Sequence, residues 1–168
     1  MKTGNHDDSR KKLKIDLAEL TYEMDQGNNS ELSAYLDTKT GEIISIPGDV
    51  LETMEDEEED TEDLPKWERE LIETAKEVFD DDKGRFLAIP RRESHEGYGL
   101  MASFATTVNN KQLGEKLNIA LNGKGAFRHF RNVLNEHPDE LERWYAFKDE
   151  YTRNEAIQWL LSNGIESV

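Results

Sequence analysis

The most basic stretch of the sequence is NGKGAFRHFR at residues 122–131, where cations alternate with aromatic residues. At about 100° per helical residue, Lys124, Arg128 and Arg131 share one narrow stripe. Ammonium and guanidinium groups bind phosphate and carboxylate oxygens, and the free N–H groups at a helix start also favour anions. The stretch therefore predicts an anion site on these three side chains.

Apolar positions lie directly beside the cationic stripe. Phe127, Phe130 and Leu134 fall on the neighbouring side of the same helical wheel, so we expect all three to be buried. Arg91 and Arg92 follow a predicted short strand and are further candidates for the same anion site. A helix over 124–134 would then bury its aromatic side and present its basic side to a ligand or a protein partner.

Of two other interpretations of this stretch, one is excluded by the sequence and one stays open. A phosphate-binding P-loop is excluded, because no Ser or Thr follows Lys124 and the preceding segment is predicted to be helical. A helix with a solvated basic face and no ligand stays open, since its cations can pair with surface acids such as Glu136, Asp139 and Glu142.

An enzymatic alternative would use a histidine with a nearby carboxylate as an acid–base pair. His95, His129 and His137 all lie near acidic residues in the sequence. None of them belongs to a recognised catalytic or metal-binding spacing, so no cofactor, metal or catalytic residue is predicted. The sequence favours a non-enzymatic binding or adaptor module, with a small enzyme as the alternative.

Charge is distributed unevenly along the 168 residues, whose net charge is −16. Residues 1–82 contain 9 basic and 26 acidic residues, a net of −17, whereas residues 83–168 contain 12 and 11, a net of +1. An unknown protein partner or a phosphorylated ligand suits the second half, but the acidic first half disfavours nucleic acid. The chain has no cysteine, no secretory signal and no apolar run for a membrane, so we expect a cytoplasmic protein without a membrane partner.

Residues 49–63 carry ten acidic residues and no basic one. Like charges at this density repel one another, which predicts an exposed linker. The alternative is a regulatory segment that binds a basic partner.

The surrounding elements predict one α+β domain over residues 13–168, preceded by a flexible tail at 1–12. A hairpin at 32–46 and a strand at 85–90 should form one small antiparallel sheet packed with helices, because both segments are apolar and bounded by Gly, Pro and Asp. After Pro90 the chain shows only helical periodicity, so the C-terminal half is predicted to be all helical. One core is expected to contain Leu36, Ile44, Trp67, Leu71, Phe86 and Leu87.

Four segments, YLDTKTGEIISI, RFLAIP, GKGAFRHFRNVL and ERWYAFKDEYTRNEAIQWLLSNGIE, resemble a bacterial family known as uncharacterised protein family 0158. The resemblance extends from about Leu13 to Ile165, and the last two segments are its most specific part. It implies a cytoplasmic, mixed α and β protein of unknown activity. It transfers no catalytic residue to this chain.

Overall fold

A computed structural model describes residues 10–27, 31–50 and 61–168 of the chain. Short strands alternate with helices in the first part, and helices dominate the second. The elements are β1 (Lys11–Leu13), α1 (Leu17–Asp25), β2 (Leu32–Asp37), β3 (Ile43–Pro47), α2 (Lys66–Phe79), β4 (Phe86–Ala88), α3 (Ser94–Ala105), α4 (Lys111–Leu121), α5 (Ala126–Asn135), α6 (Pro138–Ser162) and β5 (Ile165–Ser167). The predicted α+β class is confirmed.

The central strand β2 organises a three-stranded antiparallel sheet of order β3–β2–β4. Tyr35 of β2 lies opposite Ile44 of β3 and Ala88 of β4. The predicted sheet, built from the hairpin at 32–46 and the strand at 85–90, is thereby confirmed, with the second strand limited to Phe86–Ala88.

The two faces of this sheet contact different hydrophobic clusters, because successive strand residues point to opposite sides. Leu36 and Leu87 join the cluster formed with α1 and α6. Tyr35 and Ile44 join a second cluster formed with α2. The expectation of one common core is therefore wrong, since the sheet divides the predicted core residues between two clusters.

Trp67 was also expected in that core, and this prediction is wrong because its side chain is 64% exposed. Helix α2 buries Ile72 and Ala75 against Ile46 and Val50. Trp67 precedes Ile72 by five residues, or about 140° around the helix. The tryptophan consequently lies away from the face that packs on the sheet.

The long helix α6 contacts two of the hydrophobic clusters. Near its C-terminal end, Ala156 and Leu160 pack with α1 and the sheet. Near its N-terminal end, Trp144 and Phe147 pack against the cluster that α3, α4 and α5 form around Phe104. The helical C-terminal half is as predicted, except for the short final strand.

That final strand, β5, pairs in parallel with β1, and neither strand was predicted. Lys11 lies opposite Ile165, and the Lys11 N–H donates to the Gly164 carbonyl at 2.8 Å. Lys11 and Lys12, assigned by the sequence to the tail at 1–12, thus lie in a strand, while residues 1–9 lie outside the described part. The predicted acidic linker at 49–63 is mostly outside it too, because residues 51–60 are not described.

An ion pair connects the β2–β3 turn to the start of β4. The Asp37 carboxylate accepts from Arg85 Nε at 3.0 Å and Nη2 at 2.8 Å, and from the Lys39 N–H at 2.9 Å. The hydrogen bond from Arg85 holds the pKa of Asp37 at about 2, below its ordinary 3.8. The Thr38 N–H also donates to the Arg85 carbonyl at 2.8 Å, so the turn and β4 are held together through side chain and backbone.

We predict that Asp37→Asn removes a pH-dependent part of the stability. Because the folded pKa is depressed, the contribution is present above about pH 4 and is lost as the pH falls through about 2. Arg85 is partly exposed, so solvent screening limits the contribution to on the order of 1–2 kcal/mol. Urea unfolding at pH 6.5 and pH 2.5 measures it, with the exposed Asp82→Asn as the matched control. If acidification lowered the free energy of unfolding equally in the parent and in Asp37→Asn, this assignment would be contradicted.

Candidate ligand-binding cleft

Helix α5, which carries the basic and aromatic motif, begins later than the sequence suggested. Gly125 precedes the helix with a left-handed backbone at φ 69°, so helical geometry starts at Ala126. Lys124 therefore lies before the helix and is not part of the wheel that grouped it with Arg128 and Arg131. The single cationic stripe expected from the sequence is wrong for this geometric reason.

The aromatic side of α5 is buried only in part. Phe130 and Leu134 are 1% and 0% exposed, which confirms two of the three predictions. Phe130 packs edge-to-face on Trp144 at 5.2 Å between ring centroids. Phe127, predicted to be buried, is 51% exposed, because the first turn of α5 lies at the mouth of a cleft rather than over the core.

This cleft of about 240 Å³ lies between α3, α5 and α6. Each helix contributes side chains about one turn apart, which lie on the same helix face. The apolar wall consists of Leu100 and Met101 from α3, Phe127 and Phe130 from α5, and Trp144 and Tyr145 from α6. The charged lining consists of Asp25, Arg92, Glu93, Arg131 and Lys148. An aromatic wall beside cations suits a ligand with a flat apolar body and an anionic group.

Gly97 on α3 allows α5 to approach closely at the cleft. A Cβ at this position would lie 3.1 Å from Cε1 of Phe127 and 3.9 Å from Cδ of Arg92. The absence of a side chain therefore lets the Phe127 ring pack against α3.

Arg92 is the most constrained cation of the lining, with a side chain only 8% exposed. Its Nη1 bonds Asp25, and its Nη2 donates to Thr152 Oγ1 at 2.7 Å and to Glu155 Oε1 at 2.6 Å. Its Nε is buried and finds no acceptor among the described residues. A buried donor without an acceptor costs stability, so Nε is an unfavourable point in an otherwise well-paired guanidinium.

The remaining cations of the cleft differ in how far they are neutralised. Lys148 lies 3.3 Å from the carboxylate of Asp25, which it shares with Arg92. Arg131 is exposed and forms no ion pair with any residue in the described ranges. The Arg131 charge is thus available to an anion that enters the cleft.

The other predicted site residues lie elsewhere. Arg91 has a side chain that is 11% exposed, and it donates to Glu23 Oε2 at 3.2 Å and to the Leu32 carbonyl at 2.6 Å, which connects α1 to β2. Lys124 lies in a separate groove between α4 and α5. Arg128 lines neither concavity, and its Nη2 lies near Gly125. The structure therefore brings together Arg92 and Arg131 from the predicted set, but not the other three.

Sequence reasoning missed Gly97, Trp144, Tyr145 and Lys148 as lining residues. Trp144 and Tyr145 belong to an aromatic stripe of α6 whose helical spacing is more typical of a core than of a binding site, yet Tyr145 is 45% exposed. The only local signal was the spacing of Trp144 and Lys148, which places a ring and a cation one turn apart.

The histidines considered for catalysis do not converge. His95 is a surface residue whose Nδ1 lies 3.1 Å from Glu93 Oε2, His129 is exposed, and His137 precedes α6. The described ranges contain no group of three or more His, Asp or Glu side chains arranged to hold a metal ion. Among the helices of those ranges, none has the length and apolar character that crossing a membrane requires.

Comparison with known proteins gives a family without an assigned activity. Residues 10–168 match the family described as Uncharacterised protein family (UPF0158). A UPF0158 protein of Pseudomonas aeruginosa is 27% identical over 154 residues, covering 92% of this chain and 86% of the relative. A UPF0158 protein of Chlamydia pneumoniae is 31% identical over 140 residues, covering 81% of this chain and 37% of the relative.

The chlamydial relatives are longer than this chain. The UPF0158 protein of Chlamydia trachomatis is 30% identical over 145 residues, which is 84% of this chain but 38% of the relative. This chain thus spans little more than a third of either chlamydial protein. No solved structure matches it significantly.

We predict that two phenylalanines of α5 contribute very differently to stability. Phe130→Ala should cost about 3–5 kcal/mol, because it leaves a cavity among Phe104, Leu134 and Trp144. Phe127→Ala should cost about 1 kcal/mol or less, because half of that ring is in solvent. Denaturant unfolding of both variants measures the difference. Similar decreases in the free energy of unfolding would contradict the prediction, because they would mean that Phe127 is packed as tightly as Phe130.

Proposed function

We propose for this chain, which belongs to the uncharacterised protein family UPF0158, a role as a non-enzymatic binding module for a small organic anion. The binding site is the cleft between α3, α5 and α6. One observation carries the proposal: Arg131, an exposed cation that forms no ion pair within the described residues, lines a cleft that has an aromatic wall. The proposed setting is the cytoplasm.

The composition of the cleft defines the ligand class. Its volume of about 240 Å³ lies below the range of about 300–1,000 Å³ common for drug-sized ligands, which favours a compact molecule. The rings of Phe127 and Tyr145 would contact a flat apolar body. A carboxylate, sulfonate or phosphate group would accept charge-assisted hydrogen bonds from the guanidinium of Arg131.

Lys148 and Asp25 give the site a fixed polar side. Asp25 is shared by Arg92 and Lys148, so both cations are already oriented before a ligand arrives. Such preorganisation lowers the entropy lost when the complex forms. The exposed side chain of Arg131 would adopt a single conformation only when the ligand binds to it.

The enzymatic alternative has less support. None of the three described histidines lines the cleft, and His95 is a solvent-exposed surface residue. Nucleic acid is also less favoured, since a net charge of −16 repels a polyanion over the whole surface. A regulatory role of the acidic residues 49–63 is a separate hypothesis, which does not involve the cleft.

The probe for this proposal is 8-anilinonaphthalene-1-sulfonate, which combines a flat naphthalene ring and a twisted phenyl ring with one anionic group. We expect it to shift the indole N–H resonance of Trp144 in NMR titrations, while exposed Trp67 serves as an internal reference. Arg131→Gln should weaken binding about 10- to 100-fold, because a charge-assisted hydrogen bond contributes about 1.5–3 kcal/mol. Rising salt should also weaken binding in the parent protein.

Lys124→Gln is the matched control, because it removes an equally exposed cation on a different surface. Thermal unfolding checks that both variants remain folded, since exposed charges contribute little to stability. Neutral 1-anilinonaphthalene tests the anion requirement. No shift of Trp144, or equal binding by Arg131→Gln and Lys124→Gln, would disprove the cleft as an anion site.

A further inference from the structure

A second concave surface lies between α4 and α5, on a different side of α5 from the ligand cleft. This surface, the α4–α5 groove, encloses about 600 Å³ and is wider than the cleft. Its lining from α4 includes Lys116, Ile119 and Ala120, and its lining from α5 and the preceding turn includes Lys124, His129 and Val133. The groove therefore combines aliphatic and basic side chains.

Basic side chains in the groove, and Arg128 beside it, gather where α5 begins. A Cβ on Gly125 would lie 3.7 Å from Nε2 of His129 and 3.8 Å from Nη2 of Arg128, so both side chains lie over this turn. Lys124 immediately precedes it. Within the described ranges, Lys116, Lys124 and Arg128 form no ion pairs. Acidic residues outnumber basic ones by 37 to 21 in the chain, yet no carboxylate of the described ranges lies within ion-pair distance of these three cations.

The aliphatic part of the groove is unusually open to solvent. Ile119 is 73% exposed, the highest exposed fraction among the large hydrophobic residues described. Ala120 and Val133 lie on either side of the groove and are buried and half-buried, respectively. A single exposed isoleucine is ordinary, but one that lines a concave surface with further apolar residues is typical of a protein-binding site.

The carboxylates near the groove are few. Glu136 lines its far end, and Glu115 is exposed on the adjacent turn of α4. Neither forms an ion pair with the groove cations. The start of α5 is therefore a local basic surface on a protein that is acidic as a whole.

We infer that the α4–α5 groove docks an acidic, amphipathic segment of a partner protein. The carboxylates of the segment contact Lys116 and Lys124, and its aliphatic side chains contact Ile119 and Val133. Charge complementarity selects this occupant, since oppositely charged surfaces attract and like-charged partners are rejected. An amphipathic helix laid in a groove is a common form of such recognition.

The apolar lining distinguishes this occupant from nucleic acid. Proteins that bind single strands combine cations with aromatic rings on which bases stack. The apolar residues of the groove lining are all aliphatic, and the imidazole of His129 is the one ring among the lining residues. The docking surface uses residues outside the ligand cleft, so it stands or fails independently of the proposed function.

Selection from a displayed library of random 16-residue peptides tests this inference without assuming a sequence. The full chain is the bait, and the variant Lys116→Glu/Ile119→Ser/Lys124→Glu is used for counter-selection. All three positions are exposed or lie at the groove surface, and circular dichroism with thermal unfolding verifies the fold. We expect enrichment of peptides that combine several acidic residues with aliphatic residues three and four positions apart.

A consensus peptide is then synthesised with a fluorescent label for anisotropy titrations. Ile119→Ser and the double variant Lys116→Glu/Lys124→Glu should each weaken its binding at least tenfold, whereas Arg131→Gln, which alters the cleft, should leave it unchanged. Enriched peptides without an acidic bias, or equal binding by the groove variants, would overturn the proposal. Tighter binding of a 12-nucleotide single-stranded RNA, abolished by the same variants, would assign the groove to nucleic acid instead.

Discussion

The buried guanidinium of Arg92 is the interaction on which the arrangement of the helices depends. It bonds Asp25 of α1 and both Thr152 and Glu155 of α6, while its backbone N–H donates to the Met24 carbonyl at 2.9 Å. Burying a charge costs several kcal/mol unless partners surround it, and here two carboxylates do so. These bonds fix α6 relative to α1. They lie between the hydrophobic cluster of the sheet, α1 and α6 and the cluster that α3, α4 and α5 form around Phe104. The cleft exists because α6 is held at this position while α5 packs against its other end.

The cleft and the groove are two consequences of one short helix. Because α5 is only Ala126–Asn135, its two sides reach different neighbours: Arg131 lies toward α3 and α6, and His129 toward α4. Phe130 and Leu134 fill the space between them and anchor the helix. A basic and aromatic sequence that reads as one surface is thus divided into two surfaces of different chemistry, one aromatic and narrow, the other aliphatic and wide.

The sequence predicted well those features that local patterns determine. The hairpin, the strand near Phe86 and the buried Phe130 follow from alternation, turn residues and helical periodicity. It could not predict the β1–β5 pair, because three-residue strands carry almost no periodic signal. It also took Arg91 and Arg92 for surface cations, since their acidic partners on α1 and α6 lie far away in the chain. The helix start at Gly125 depends on one left-handed residue, which wheel geometry does not anticipate.

The parallel pairing of β1 with β5 has a consequence for how the chain folds. Lys11 faces Ile165, so the pair closes a loop that contains nearly every other described element. Closing so long a loop costs entropy that is not regained until the intervening helices are in place. Leu13 and Ile165 nevertheless belong to the buried cluster with α1 and α6. The strand pair therefore joins the first and last strands of the described chain over one buried cluster, and loss of either strand would uncover the apolar residue of the other.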